Sequence, residues 1–158
     1  MFNIQVRKAI ADDDEGIWAV RTAAIESISN QYYAETEIAR WASTPPPPNF
    51  RHVIAHLNWH VAELNDYIIG TGFIDLETGE MGGIFVAPSF QGCGIGFMLV
   101  NALEEFAKNH DVKNLFLDAT LNAESFYLKA GFCFEKKSIY KHNSGIHLNC
   151  IRMTKKID

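Results

Sequence analysis

The stretch Phe85-Val86-Ala87-Pro88-Ser89-Phe90-Gln91-Gly92-Cys93-Gly94-Ile95-Gly96 decides how this chain is read. An apolar run stops at Pro88, glycines alternate from Gly92 to Gly96, and a helical pattern starts at once. Met98, Leu99, Ala102, Leu103 and Phe106 fall on one predicted face of that helix, which runs from Gly94 to about Asn109. A strand, a glycine turn and a helix start in this order present N–H groups without intrahelical partners at the positive end of a helix dipole. That is an anion site, and glycines let a pyrophosphate approach the backbone closely. The bland reading, glycines serving turn geometry alone, is less favoured because both flanks suit a phosphate turn. A Walker loop fits poorly, since Phe97-Met98 stand where Lys-Ser/Thr are needed. A Rossmann fingerprint fits poorly too: Phe97 takes its third small position, and the turn follows a hairpin instead of a first strand.

Working outward, Phe2–Lys8 alternates as a strand and Asp12-Asp13-Asp14-Glu15 supplies the negative first turn of a helix over about 12–28. A second helix is predicted over Ala34–Ser43, ended by Pro45–Pro48, and a short one over Phe50–Leu57. His60–Leu64 and Tyr67–Asp75 read as a hairpin about Asn65-Asp66. Strands over Glu80–Val86, Asn114–Ala119, Phe132–Tyr140 and His147–Thr154 and a helix over Asn122–Ala130 complete the order. One strand–helix–strand crossover within hairpins implies an α/β class: a mixed, mostly antiparallel sheet flanked by helices, in one domain over 1–158.

Two motifs carry a family resemblance. Gln91-Gly92-Cys93-Gly94-Ile95-Gly96 matches Gln/Arg-x-x-Gly-x-Gly/Ala, preceded by Phe-Val-x-Pro. Asn122-Ala123-Glu124-Ser125-Phe126-Tyr127-Leu128-Lys129-Ala130-Gly131-Phe132 matches Asn-x-x-x-Phe-Tyr-x-x-x-Gly-Phe. Together they resemble the GCN5-related N-acetyltransferase family over nearly the whole chain. One departure is Cys93, where relatives very often carry Arg, so a charge near the pyrophosphate is missing. The resemblance implies acetyl-CoA as donor and a primary amine of a small molecule or peptide as acceptor, with direct transfer in a ternary complex. It implies that the backbone of Phe85 and Val86, where the strand bulges in this family, pairs with pantetheine. The N–H groups of Gln91, Gly92, Cys93, Gly94, Ile95 and Gly96 would hold the pyrophosphate. Tyr127 stands at the position of the general acid, and a phenol can donate to the departing thiolate while staying protonated at neutral pH. Phe126 reads as a core aromatic. Asn122 has two readings, helix cap or pantetheine partner; Lys129 likewise is a solvated lysine or faces the 3′-phosphate.

For the base, Glu80 opens the strand leading to the turn, where several relatives place a carboxylate. Its alternative is a solvent-facing turn residue, and Asp118 is a weaker candidate. Tyr32, Tyr33 and Trp41, with Gln31, and His142, with His147, are candidates for the acceptor pocket or else loop and core residues. His52, His56 and His60 invite a metal reading, but no carboxylate completes a set, so they are expected on the surface and no metal is implied.

The chain has 158 residues and a net charge of −5. Residues 1–128 carry 7 Lys/Arg against 17 Asp/Glu, and residues 129–158 carry 7 against 2. The acidic body disfavours nucleic acid, and the basic tail is a solvated face or meets an anionic ligand. Cys93, Cys133 and Cys150 form no framework, no apolar run reaches a membrane span, and no leader is evident, so a cytoplasmic location is expected. A homodimer through the last strand is a further expectation. The rival reading from another class is a non-catalytic acyl-CoA-binding module; a nucleotide- or NAD-binding domain ranks third.

Overall fold

The computed structural model describes residues 3–142 and 144–158. In chain order the elements are β1 Gln5–Lys8, α1 Asp14–Glu26, α2 Glu35–Ala42, α3 Phe50–His56, β2 His60–Leu64, β3 Tyr67–Ile74, β4 Met81–Val86, α4 Ile95–Asn109, β5 Asn114–Thr120, α5 Glu124–Lys129, β6 Cys133–Lys141 and β7 His147–Lys156. The expected order holds. Phe2, the expected start of the first strand, lies outside the described residues, as does Asn143 in the last hairpin turn.

Local chemistry accounts for several boundaries. Asn65 and Asp66 both take positive φ, 50° and 68°, the backbone that matches a two-residue turn to strand twist. The Asp13 carboxylate accepts from the Ile10 N–H and binds Arg7, fixing the turn before α1. Glu37 accepts from the Ala34 N–H at 3.0 Å, half of a capping box that opens α2. The carbonyls ending α2 are met by Arg21, a buried guanidinium that donates to Trp41 at 2.6 Å and Ala42 at 3.0 Å. The ring of Trp18 lies over its other side.

The strands form two sheets: four antiparallel strands in the order β1-β2-β3-β4, and three in the order β5-β7-β6. One parallel bridge joins them, Glu80 with Phe116, where the Phe116 N–H donates to the Gly79 carbonyl at 3.1 Å. Beyond that vertex no pairing between β4 and β5 is present among the described residues, so the mixed, mostly antiparallel sheet flanked by helices that the sequence implies is present and splits here into a splay. The last strand is internal to the second sheet and cannot pair between subunits; the free edge there is β6.

α4 packs beneath the splay. Its Leu99 meets Ala62 and Ile69, while Val100, Leu103 and Ala107 meet Ile74, Leu115, Leu117 and Met153. Met98, expected on the buried face, is exposed, because the stripe Ile95–Leu99–Leu103–Ala107 points inward. α1 and α3 cover the opposite face of the first sheet, through Ile17, Phe50, Ile54 and Trp59. The basic tail is partly structural. Lys155 donates to Glu104 at 2.7 Å and to the Ala130 carbonyl at 2.8 Å, tying the end of α5 to α4. Lys136, Lys137 and Lys141 remain exposed on β6.

Candidate active site

The glycine turn sits at the open end of the splay. Gly92 and Gly94 take φ of 78° and 85°, and a β-carbon on either would meet open space, so conformation and not crowding requires glycine there. The first helical bond is Met98 N–H to Gly94, at 3.1 Å. The N–H groups of Ile95, Gly96 and Phe97 therefore lack intrahelical acceptors. Gly96 is set by packing instead: a β-carbon there would lie 2.9 Å from the ring of Phe126, which also stacks against Phe97. Cys93 is exposed, its sulfur over the Gln91 carbonyl. The Gln91 amide donates to the Val86 carbonyl at 3.1 Å, lashing the turn to the end of β4. These residues fit a pyrophosphate: an exposed, backbone-only cradle at the N-terminus of a 15-residue helix.

β4 forms one wall of the splay. The Ala87 N–H bonds to Ile69 on β3, so by alternation the Val86 N–H is directed to the opposite edge, toward the splay. The register shifts between Thr71 and Phe73, which places the extra residue at Gly83–Ile84. The bulge thus lies two residues before the Phe85–Val86 position expected from sequence. The Thr71 hydroxyl donates to the Gly83 carbonyl at 2.7 Å, and a β-carbon on Gly83 (φ 61°) would lie 2.6 Å from the Trp59 ring. The extra residue re-phases the strand. Ile84 and Val86 turn to the α4 side, while Phe85 turns to the α1–α2 side with Ile25, Tyr33 and Trp41.

Tyr127 is buried, its ring edge-on to Phe126 at 5.0 Å and to Phe132 at 5.8 Å. Burial raises its phenol well above the ordinary tyrosine range, so it stays protonated across the physiological range. Asn122 lies in a 3-10 turn before α5 and is exposed. It does not cap the helix: the cap position is Ala123 and no side-chain bond is made there, because the turn inserts before α5 begins. Lys129 is the exposed last residue of α5.

At the vertex, Glu80 is half-buried. Burial and the nearby Asp118 raise its carboxyl above the ordinary value, against Arg152, which lowers it. Asp118 and Arg152 are cross-strand partners joined by two hydrogen bonds, at 2.7 and 3.3 Å. Tyr140 faces the same carboxylates and Arg21, and burial raises its phenol. The vertex is thus a side-chain cluster on the α1–α2 side. Sequence reasoning named Glu80 and Asp118 but missed Arg152, whose place opposite Asp118 depends on register.

The expected acceptor residues separate into two kinds. Tyr33 is buried and fully engaged: its hydroxyl donates to the Asn149 carbonyl at 2.6 Å and accepts the Leu121 N–H at 3.0 Å. Trp41 is buried edge-on to Phe85. Both are wall members, since their polar or aromatic surface is spent on packing. Tyr32 and Gln31 are exposed at the α1–α2 turn. His142 is half-buried beside the β6–β7 turn; its Nδ1 accepts the Ser144 N–H, and burial lowers its pKa.

His52 and His56 are exposed as expected, but His60 is buried where β2 begins, with Nδ1 donating to the Asn58 carbonyl at 2.8 Å. Among the described residues no cluster of three or more His, Cys, Asp or Glu is arranged to hold a metal, and no helix is long and apolar enough to cross a membrane. A surface groove of about 700 Å³ lies elsewhere, between α1 and Pro46–Pro48, with Trp18 and Phe50 in its wall.

Comparisons with known proteins agree with this geometry. The chain superposes on a GCN5-related N-acetyltransferase from Rhodopseudomonas palustris with a TM-score of 0.88 and 23% identity, over 99% of this chain and 98% of the other. It matches Salmonella typhimurium YncA, a putative acetyltransferase solved with acetyl-CoA, at TM-score 0.66 and 20% identity, over 99% and 95%. PaiA N-acetyltransferase from Thermoplasma acidophilum, solved with coenzyme A, matches at 0.66 and 17%, over 98% and 99%. No curated protein matches the chain significantly by sequence. The profile of the acetyltransferase (GNAT) family matches residues 21–132, well over half of the chain, and the chain belongs to that family.

Proposed function

We propose that the chain, acting as one N-acetyltransferase domain over 1–158, moves an acetyl group from acetyl-CoA to a primary amine of a small molecule or peptide, directly and within a ternary complex. The observation that carries this reading is the splay itself: among the described residues β4 and β5 are bridged at Glu80–Phe116 alone, with a glycine cradle at the open end. Acetyl-CoA supplies the activated thioester. The N–H groups from Gln91 to Gly96 would hold its pyrophosphate, and the Val86 N–H, with Asn122, its pantetheine arm. Phe85 belongs to this wall through its backbone, and Lys129 to the 3′-phosphate end. Tyr127, kept protonated by burial, holds the proton for the departing sulfur. Glu80, its proton affinity raised by burial, takes a proton from the amine directly or through water. Tyr32 and His142 border the acceptor side, with Tyr33 and Trp41 behind them. A cytoplasmic location belongs to the same reading.

Thiol release from acetyl-CoA across an amine panel tests the activity, with calorimetric titration of CoA and NAD alongside. Tyr127→Phe is expected to lower kcat about 100-fold while CoA affinity is retained. A non-catalytic acyl-CoA-binding module would bind CoA and show no turnover with any amine. Failure to bind CoA would refute both.

A further inference from the structure

The vertex holds more than a base. We propose that the Asp118–Arg152 pair is a positioning device for Glu80, setting the charge environment of that carboxyl in the acceptor-side cleft; the inference rests on reading Glu80 as the base.

Strand geometry brings the groups together. β5 alternates, burying Leu115, Leu117 and Ala119 and turning Phe116 and Asp118 to the opposite face. Arg152 stands directly across from Asp118 and binds both of its carboxylate oxygens. The same guanidinium lies 4.6 Å from the centroid of Phe116. Phe116 is the residue bridged to Glu80, so the arginine rests on the ring beside the proposed base. One planar cation therefore spans a carboxylate and the edge of the vertex, a geometry suited to Arg. Glu80 itself forms no ion pair among the described residues.

The groups facing Glu80 are Asp118 from β5, Arg152 from β7, Tyr140 from β6 and Asp75 just past β3. Asp118 and Asp75 favour its protonated form, and Arg152 favours the carboxylate. A base works best with a pKa near the working pH. Burial with Asp118 alone would hold the proton more tightly, and Arg152 counters that.

The test is a carbon-13 NMR titration of Glu-labelled full-length protein, with the Glu80 signal assigned by its loss in Glu80→Gln. Asp118→Asn is expected to lower the Glu80 midpoint and Arg152→Gln to raise it, each by on the order of one pH unit. The double variant should titrate between the two. Arg152→Lys, which keeps the charge, should stay close to the parent and covers the case in which Arg152→Gln does not fold. The acidic limb of kcat/KM should move in the same directions, since the acceptor amine contributes equally in every variant. An unmoved midpoint, or shifts of one sign in both single variants, overturns the inference. Turnover without midpoint shifts leaves the acetyltransferase reading standing and this inference refuted. Opposite shifts without turnover on any amine leave the pair acting on Glu80 and refute the reading of Glu80 as a base.

Discussion

The two ends of the splay solve recognition in different ways. At the open end, Gln91–Gly96 offers backbone N–H groups, two left-handed glycines and a helix terminus, exposed and without a charged side chain. At the vertex, Glu80, Asp118 and Arg152 are half-buried, and the Glu80 carboxyl is raised by burial and Asp118 and lowered by Arg152. The open end suits a ligand portion common to every turnover, since backbone donors are fixed by the fold and survive most side-chain changes. The vertex suits the variable portion, because side chains from separate strands can be changed one at a time. Cys93 illustrates the first point: its uncharged, exposed side chain leaves recognition there to the backbone N–H groups.

Substitutions can break this division, and the largest effect is expected at the vertex. Glu80→Gln should cut kcat by about 100- to 10,000-fold, with CoA affinity by calorimetry unchanged. The same variant should melt no lower than the parent at pH 8. The folded Glu80 pKa is raised, so its stabilising contribution is full below the ordinary 4.5 and lost as pH rises through the folded value. Next, Gly94→Val forces a branched side chain into φ 85°, straining the cradle. CoA affinity should fall about 10- to 100-fold, as roughly 1–3 kcal/mol of backbone strain implies, and the Glu80 titration should stay put. If that titration moved as well, the two ends would not be independent.

Gly83→Ala tests the bulge that links them. Its β-carbon would lie 2.6 Å from Trp59, so a loss of about 2 kcal/mol is expected. In thermal denaturation that corresponds to roughly 4–8 °C for a chain of this size. The smallest effect concerns His60, buried at the start of β2, where burial lowers its pKa. Its folded pKa is below the ordinary 6.5, so the unfolded chain takes up the proton first. Its contribution is full above that value and is lost as pH falls from there toward the folded pKa. Melting temperatures between pH 7.5 and 5.5 should fall less steeply in His60→Gln than in the parent.

Much of the fold was legible because its cues are local. Asn65-Asp66 marks a turn by its own backbone preferences, Pro45–Pro48 stops a helix, and the glycines before Ile95 announce an anion site without reference to any distant residue. The α4 stripe was harder, since Met98 and Leu99 are adjacent and only packing shows which one turns inward. The bulge was misplaced by two residues because its cause is remote: the Trp59 ring and the Thr71 hydroxyl decide where β4 takes its extra residue.

The site divides along the same line. By itself, the sequence determined the family, the element order and the cradle, because these rest on short motifs and backbone chemistry. It also supplied Glu80 and Tyr127 as candidates, through resemblance. Only the tertiary structure decided that Arg152 stands opposite Asp118, that Tyr33 is spent as a tie between Asn149 and Leu121, and that the last strand is internal. Strand register and sheet splay join residues far apart in the chain. A single-residue slip would reverse which face each presents, so no local pattern records those pairings.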